Sequence, residues 1–528
     1  DVYKRQSETH AYGLNYSDQW GEKMRVTGSY FFNLKNNVNN QLVYRENFVP
    51  NAENQIYNEL NESTTTNQNH RANLRLVYNI NNYSTLMFMP NISWQKTDLD
   101  DLLLGTTSLV EGAQLNALAN DYNSSASGYV FSGNLIYMQR FEKRGRTISL
   151  RLGANSAESN GINGLDNLTI YDSQIARNDT ILQYGNQYTN GSGYSANLNY
   201  TEALGEKVQL QIGYRADISE DDADQKTFDE TQIPAELDTV LTNVFESAYI
   251  TQAPTLALFA RGDKLFMRAA LMYQWATLES RQQFPQEASL DRSFTSLLPM
   301  AMMRYRFSED ANLRVFYRSF TQKPSITQLQ NVVDNTNPLY ISIGNPALDQ
   351  STTHMVNARY SSINSELASS FFTLASLTAI NDYVTNSSLI VDQDSLINGE
   401  YLLRAGGQIS TPVNLSGYLN ARLLFNYGIP LTFIKTNLNL NAGATYTKIP
   451  GLVNGVNNNS QDLAYNGTLA LSSNISEKID YTLLYDITYN DVVNDLESSL
   501  SQDYTYQSVG LKLNWSFWKE FIFRTQLS

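Results

Sequence analysis

The sequence predicts an all-β protein: one large antiparallel β-barrel that crosses a membrane. Three observations predict it. Hydrophobicity alternates with period two in many separate segments. Turn residues recur between those segments. No apolar run approaches the roughly 18 residues that a membrane-crossing helix needs, and the mean hydropathy over the 528 residues is −0.37. A membrane strand averages to polar because only alternate residues meet lipid.

The alternation is clearest near Lys435–Thr447. Leu438, Leu440, Ala442, Ala444 and Tyr446 share one face, and Asn437, Asn439, Asn441, Gly443 and Thr445 the other. Successive strand side chains point to opposite faces, so this is one apolar and one polar surface. The same split appears at Ile148–Asn155, Tyr194–Tyr200, Val208–Arg215 and Ser508–Phe517. Turn chemistry falls at Gln19–Glu22, Asn81–Asn82, Glu142–Gly145, Gly205–Glu206, Gly262–Asp263, Glu309–Asp310, Ser476–Glu477 and Lys519–Glu520. Long polar connections are expected at Pro50–Gln68, Thr97–Ser127, Glu158–Asn190, Ser219–Asn243, Thr321–Ser351 and Asn381–Gly399. About twenty strands of roughly 9–13 residues follow, with short turns at one end and long loops at the other. Aromatics near strand ends (Tyr12, Tyr16, Trp20; Trp515, Phe517, Trp518) suit interfacial girdles. A secreted all-β adhesin would share the alternation. Strands this long, repeated this often, favour the barrel.

Composition excludes several functions. Net charge is −15, from 37 basic and 52 acidic residues, which disfavours a nucleic-acid partner. Cysteine is absent, and the three histidines, His10, His70 and His354, are scattered. No nucleophile–base pair or metal-ligand spacing emerges, so no enzyme activity, cofactor or metal is expected. Acidic clusters at Asp98, Asp100 and Asp101, at Glu220–Asp224 with Asp229 and Glu230, and at Asp392 and Asp394 offer oxygen ligands. None has the spacing of a calcium loop, and a solvated surface is the plainer reading. Arg71, Arg75, Arg151, Arg215, Arg314 and Arg318 stand on polar strand faces and are expected to line the lumen. There they would pair with carboxylates or attract an anionic solute.

The most specific stretch is Asn312–Tyr360. A strand, Leu313–Arg318, leads into Lys323-Pro324-Ser325-Ile326-Thr327-Gln328-Leu329. Then come Asn337-Pro338-Leu339 and Gly344-Asn345-Pro346-Ala347-Leu348, before the strand around His354–Tyr360. This resembles TonB-dependent receptors, in particular the Bacteroidetes-type outer-membrane β-barrel family. Leu14–Lys23 and Asn437–Val453 fit the same likeness. About twenty strands in a chain read as incomplete point to a barrel of 22 or so strands, and the resemblance implies a bacterial outer membrane, in contact with lipid and lipopolysaccharide. It implies nutrient uptake with a plug domain and the TonB complex, and a surface lipoprotein as a further candidate partner. A receptor-like or scaffold barrel without active transport is the alternative. The motif residues Pro324, Gln328, Leu329, Asn337, Pro338, Gly344, Asn345, Pro346 and Leu348 would form a loop over the lumen, structural or ligand-facing. Proline fixes φ and cannot donate to a ladder, and Gly344 is expected to adopt a backbone angle closed to other residues. Residues 1–6 read as a non-native scar. Residues 7–528 read as one barrel domain, incomplete at its C-terminus and without its upstream plug.

Overall fold

A computed structural model describes residues 2–47, 53–171, 177–284, 287–397, 401–476, 479–496, 501–517 and 521–527. Its elements are β1 (Val2–Trp20), β2 (Met24–Asn47), β3 (Gln55–Asn79), β4 (Ser84–Leu109), β5 (Gln114–Arg140), β6 (Thr147–Tyr171), β7 (Arg177–Ala203), β8 (Val208–Asp229), β9 (Glu236–Leu237), β10 (Asn243–Arg261), β11 (Leu265–Phe284), β12 (Ala288–Arg306), β13 (Ala311–Gln322), α1 (Ile326–Leu329), β14 (Val333–Asp334), β15 (Tyr340–Ile343), β16 (Ser351–Asn364), β17 (Ser369–Asn381), β18 (Tyr383–Ile390), β19 (Ser395–Ile397), β20 (Tyr401–Leu403), β21 (Gln408–Leu415), β22 (Tyr418–Leu431), β23 (Thr436–Val453), β24 (Val456–Ser476), β25 (Ile479–Asn494), β26 (Gln502–Phe517) and β27 (Phe521–Leu527).

Of these 27 strands, β9, β14, β15 and β18–β21 belong to the connections. The other twenty form the wall, a meander in which each strand pairs antiparallel with the wall strands before and after it. Among the described residues the edge strands are β1 and β27. Val2–Gln6 continue the β1 ladder against Val38–Leu42 without a break. The predicted turn at Lys519–Glu520 and residues Pro50, Glu477 and Gly399 lie outside the described residues.

Register fixes the faces. Leu440 and Leu210 share the outer face, and Asn439 and Gln209 the inner. Outward apolar side chains stay uncovered: Ile212 is 57% exposed and Leu198 46%. In a soluble sheet such a surface would have to pack; here it is the lipid surface. On five adjacent strands Tyr12, Phe32, His70, Trp94 and Tyr129 stand side by side in one ladder row. Phe32 and His70 lie 4.9 Å apart and His70 and Trp94 5.4 Å. Toward the short turns a second row reads Trp20, Met24, Tyr78, Leu86, Tyr137 and Leu150. Phe32 and Met24 mark the two rows on β2. Eight strand residues at ~3.3 Å each, tilted by ~40°, separate these girdles by roughly 20 Å, near the ~25 Å apolar band of such barrels.

The structure corrects the expected strand lengths. β1–β8 run 19–27 residues rather than 9–13. Most of Thr97–Ser127 and Glu158–Asn190, read as loops, is ladder that rises beyond the upper girdle. Above the membrane both faces meet water, so the hydrophobic contrast fades while backbone pairing continues. The connection between β4 and β5 shrinks to residues 110–113, and β23 and β24 join through Asn454-Gly455 at φ 47° and 75°. This pair with positive φ at both positions suits a tight hairpin turn. The stretches 323–350 and 382–417 are genuine long insertions.

Leu74 of β3 faces lipid midway between the two rows, and Ser132 faces the lumen. Leu74→Arg is expected to cost about 2–4 kcal/mol and Ser132→Arg less than about 1. Urea unfolding from lipid vesicles checks this, and equal costs would refute the assignment of faces.

Candidate functional site

The two insertions meet the polar face of the wall on strands far apart in the sheet. Leu339 packs with Tyr57 of β3, Leu103 of β4 and Leu118 of β5. Leu329 and Leu348 pack with Phe245 of β10 and Leu278 of β11. Asn120 Nδ2 donates to Thr336 O at 3.0 Å, and Lys323 Nζ to Asp221 Oδ2 of β8 at 2.6 Å. Arg292 of β12 pairs with Asp349. One segment can touch all these strands only from inside, so the polar face is the lumen face and the insertions fill its loop-side half. The three buried apolar clusters all sit there.

The motif residues build the first insertion. Ser325 caps α1: its Oγ accepts from Gln328 N at 3.2 Å, and Gln328 Oε1 accepts from Ser325 N at 2.9 Å. This reciprocal capping box satisfies two otherwise orphaned donors. Pro324, Leu329, Pro338 and Leu348 are buried. Asn337 Oδ1 accepts from Leu339 N at 3.1 Å. Asn345 Nδ2 donates to Pro412 O of β21 at 3.0 Å, and its Oδ1 accepts from Ala347 N at 2.9 Å. Pro346 is half-buried in the same turn. Gly344 corrects the expectation of a special backbone angle, because its φ is not in the left-handed region. A Cβ there would stand 2.0 Å from Gln330 O and 2.9 Å from Thr327 O. Close backbone approach, not φ, requires the glycine.

The second insertion leaves the wall at Asp382 (φ 52°) and returns at Gly417 (φ 111°). Its hairpin, β18 with β21, turns across: β21 pairs parallel with β15 and β18 parallel with the tip of β23. Asn454 clamps the end of β18, accepting from Ile390 N at 2.7 Å and donating to Ile390 O at 3.1 Å. Arg404 reaches the wall. It donates to Asp394 Oδ2 at 2.7 Å and Asp179 Oδ2 at 3.5 Å and lies over the Tyr171 ring at 5.8 Å. Burial pushes the Tyr171 phenol up to about 12, with Asp179 adding to the shift. Tyr57 is fully buried and donates to Glu59 Oε2 at 2.7 Å. Burial, then that carboxylate, holds its phenol far above its ordinary range. Sequence reasoning missed Arg404, Tyr57 and Lys323 as anchors. The only local signal was the Gly406-Gly407 pair behind Arg404, since the contacts that join insertion to wall, Arg404 with Asp179, Lys323 with Asp221 and Tyr57 with Leu339, span a hundred residues or more.

Arg71, Arg75, Arg151, Arg215, Arg314 and Arg318 all fall on the lumen face by register. They are spread round the wall and do not form one site. Arg151 Nε donates to Asn134 Oδ1 at 2.8 Å, and Arg215 pairs with Asp217 at 2.7 Å. Arg318 lies over the Phe320 ring at 4.7 Å. The acidic clusters do not stay together as ligands. Asp98, Asp100 and Asp101 stand on β4, and Glu220–Asp224 on β8, not in loops. Strand alternation sends neighbours to opposite faces. Asp221 is taken by Lys323 and Asp224 by Lys226. Among the described residues no group of three or more potential ligands could hold a metal ion.

A twenty-strand wall, an exposed apolar belt between aromatic girdles and a polar lumen define a membrane-embedded β-barrel. Residues 139–522 match the model of the outer membrane protein beta-barrel family. The chain belongs to that family, one of barrels rather than of enzymes, and its place is the bacterial outer membrane. No curated protein matches the chain. Solved structures similar in fold include the siderophore receptor PirA from Pseudomonas aeruginosa, at 10% identity and TM-score 0.43, covering 100% of this chain and 76% of that one. The ferric preacinetobactin receptor BauA from Acinetobacter baumannii gives 11% and 0.41, covering 98% and 73%. The copper transporter OprC gives 9% and 0.44, covering 98% and 80%.

Gly344→Ala is expected to cost about 1–3 kcal/mol through overpacking and to expose 323–350 to protease in the folded barrel. Gly205→Ala, where a Cβ meets nothing within 4 Å, should do neither. Limited proteolysis of both variants checks this.

Proposed function

We propose that the chain forms the barrel of a TonB-dependent outer-membrane receptor that imports a nutrient. One observation carries the reading. The loop-side half of the lumen is occupied by two folded insertions with their own buried apolar clusters. A wall of this circumference without such filling would be an open pore. With it, a solute crosses only when the insertions or their neighbours rearrange, which calls for a ligand and an energy source. The segment Asn312–Tyr360, whose motif residues build the first insertion, supports the same reading by its resemblance to that receptor class. On this reading the partners are outer-membrane lipid and lipopolysaccharide, a plug domain in the lumen, the TonB complex at the short-turn side, and a surface lipoprotein above the loops. The polar lumen below the insertions, with Asn197, Arg215, Gln274 and Arg318 on its wall, is the path the solute would take.

The test is growth of a deletion strain with an iron chelate, a glycan, a peptide or a corrinoid as the limiting nutrient. Import predicts a selective defect on one of these, reversed by the intact gene, and short-term uptake of that nutrient that a protonophore lowers to the level of the deletion strain. Unchanged uptake of all four, with the protein present at the surface, would instead support a receptor or scaffold barrel without flux.

A further inference from the structure

On the lumen wall below the insertions, the ladder places like charges side by side. One row across six adjacent wall strands reads Arg261, Phe266, Arg304, Arg314, Arg359 and Leu374, on β10, β11, β12, β13, β16 and β17. Directly opposed side chains have Cβ atoms about 4.5–5.5 Å apart, and like charges at that spacing destabilise a sheet. Three arginines in succession therefore carry a repulsion that needs an explanation.

Nothing in the described protein relieves it. Arg304, Arg314 and Arg359 are exposed to the lumen and make no ion pair or side-chain hydrogen bond with any described residue. Glu309 and Asp310, on the turn that joins β12 to β13, do not reach them. Asn312 and Ser361, the same-face neighbours of Arg314 and Arg359, satisfy each other at 2.9 Å. One row toward the loops, Arg268 leaves its Nε without an acceptor among the described residues. Elsewhere on the same face the chain does supply a carboxylate, as at Arg215–Asp217.

The row is also held in a usable form. The Arg359 guanidinium lies over the Phe372 ring at 4.7 Å, and Arg261 over Phe266 at 5.6 Å. Stacking engages the flat face of a guanidinium and leaves its N–H edge free for a carboxylate or phosphate.

We propose that Arg304, Arg314 and Arg359 form an anion-binding site on the lumen wall, which takes a phosphate or a multiply charged carboxylate across adjacent guanidinium groups. The site follows from strand register and does not depend on whether the barrel transports. Its anion comes either from solution or from carboxylate side chains of a polypeptide lodged in the lumen.

The test uses the protein folded in detergent at low ionic strength, titrated calorimetrically with inorganic phosphate, citrate and hexaglutamate. Binding of at least one probe is expected. Arg314→Gln should weaken it about tenfold or more, and Arg314→Lys less, because lysine keeps the charge but loses the fork. Arg140→Gln, the same charge change off the row, should leave it within about twofold. Without anion, Arg314→Gln should unfold at the same or higher denaturant concentration than the parent, since it removes repulsion. Tighter binding of citrate or phosphate assigns a dissolved anion, and tighter binding of hexaglutamate a polypeptide. The proposal fails if no probe binds or if the Arg140 and Arg314 variants weaken binding equally. It also fails if Arg314→Gln destabilises the anion-free protein, which would mean that the guanidinium already has a protein partner.

Discussion

Hydrocarbon offers no hydrogen bonds, so every backbone N–H and C=O that crosses the membrane must find its partner on a neighbouring strand. This constraint organises the molecule. It forces the long antiparallel ladder, and the ladder's register then decides which residues meet lipid, which meet the lumen and which stand beside one another. The aromatic row from Tyr12 to Tyr129 and the arginine row from Arg304 to Arg359 are consequences of one register. A slip of one residue would exchange the two faces of a strand, sending arginine into lipid and leucine into the lumen.

The same constraint explains where the apolar core lies. Within the membrane the outward leucines gain nothing from packing against protein, because lipid is equally apolar. Burial against protein is favourable where it displaces water, and on the watered inner side of the wall the insertions collect Leu329, Leu339, Ile341, Leu348 and Leu403. At about 1.5–3 kcal/mol for each such side chain, these clusters hold two irregular segments inside the lumen. The polar anchors fix their placement: Lys323 on Asp221, Arg404 on Asp179 and Asn454 on Ile390. The wall below them stays polar, with Arg215 matched by Asp217 and the row Arg304, Arg314 and Arg359 left without a carboxylate among the described residues. The loop-side half of the lumen is thus filled with folded chain, and the half below it is bounded by a polar, charged wall.

Much of this was legible in the sequence, and the limits have physical causes. Period two shows which residues share a face, so Arg71 and Arg314 could be set on the lumen side from Leu74 and Leu313 opposite. The heights of β4 and β5 were not legible. Asn, Ser and Thr look alike in a loop and in a strand wet on both faces, while the bonds that extend the ladder are indifferent to side chains. The motif around Gly344 marked a special backbone site, but its reason is the carbonyl of Gln330, a contact that no local pattern encodes. The arginine row escaped notice for a similar cause. Arg304, Arg314 and Arg359 are unremarkable in sequence and become a group only when β12, β13 and β16 are aligned, the last after an insertion of nearly thirty residues.

The measurement closest to the central claim is amide hydrogen exchange over Thr97–Ser127 in the membrane-embedded protein. If one ladder runs unbroken from the short turns to the hairpin tips, the amides of β4 and β5 above the upper girdle exchange slowly. The exposed turn at residues 110–113 exchanges fastest. Rapid exchange across the whole of Thr97–Ser127, as a solvated loop would show, would contradict the account.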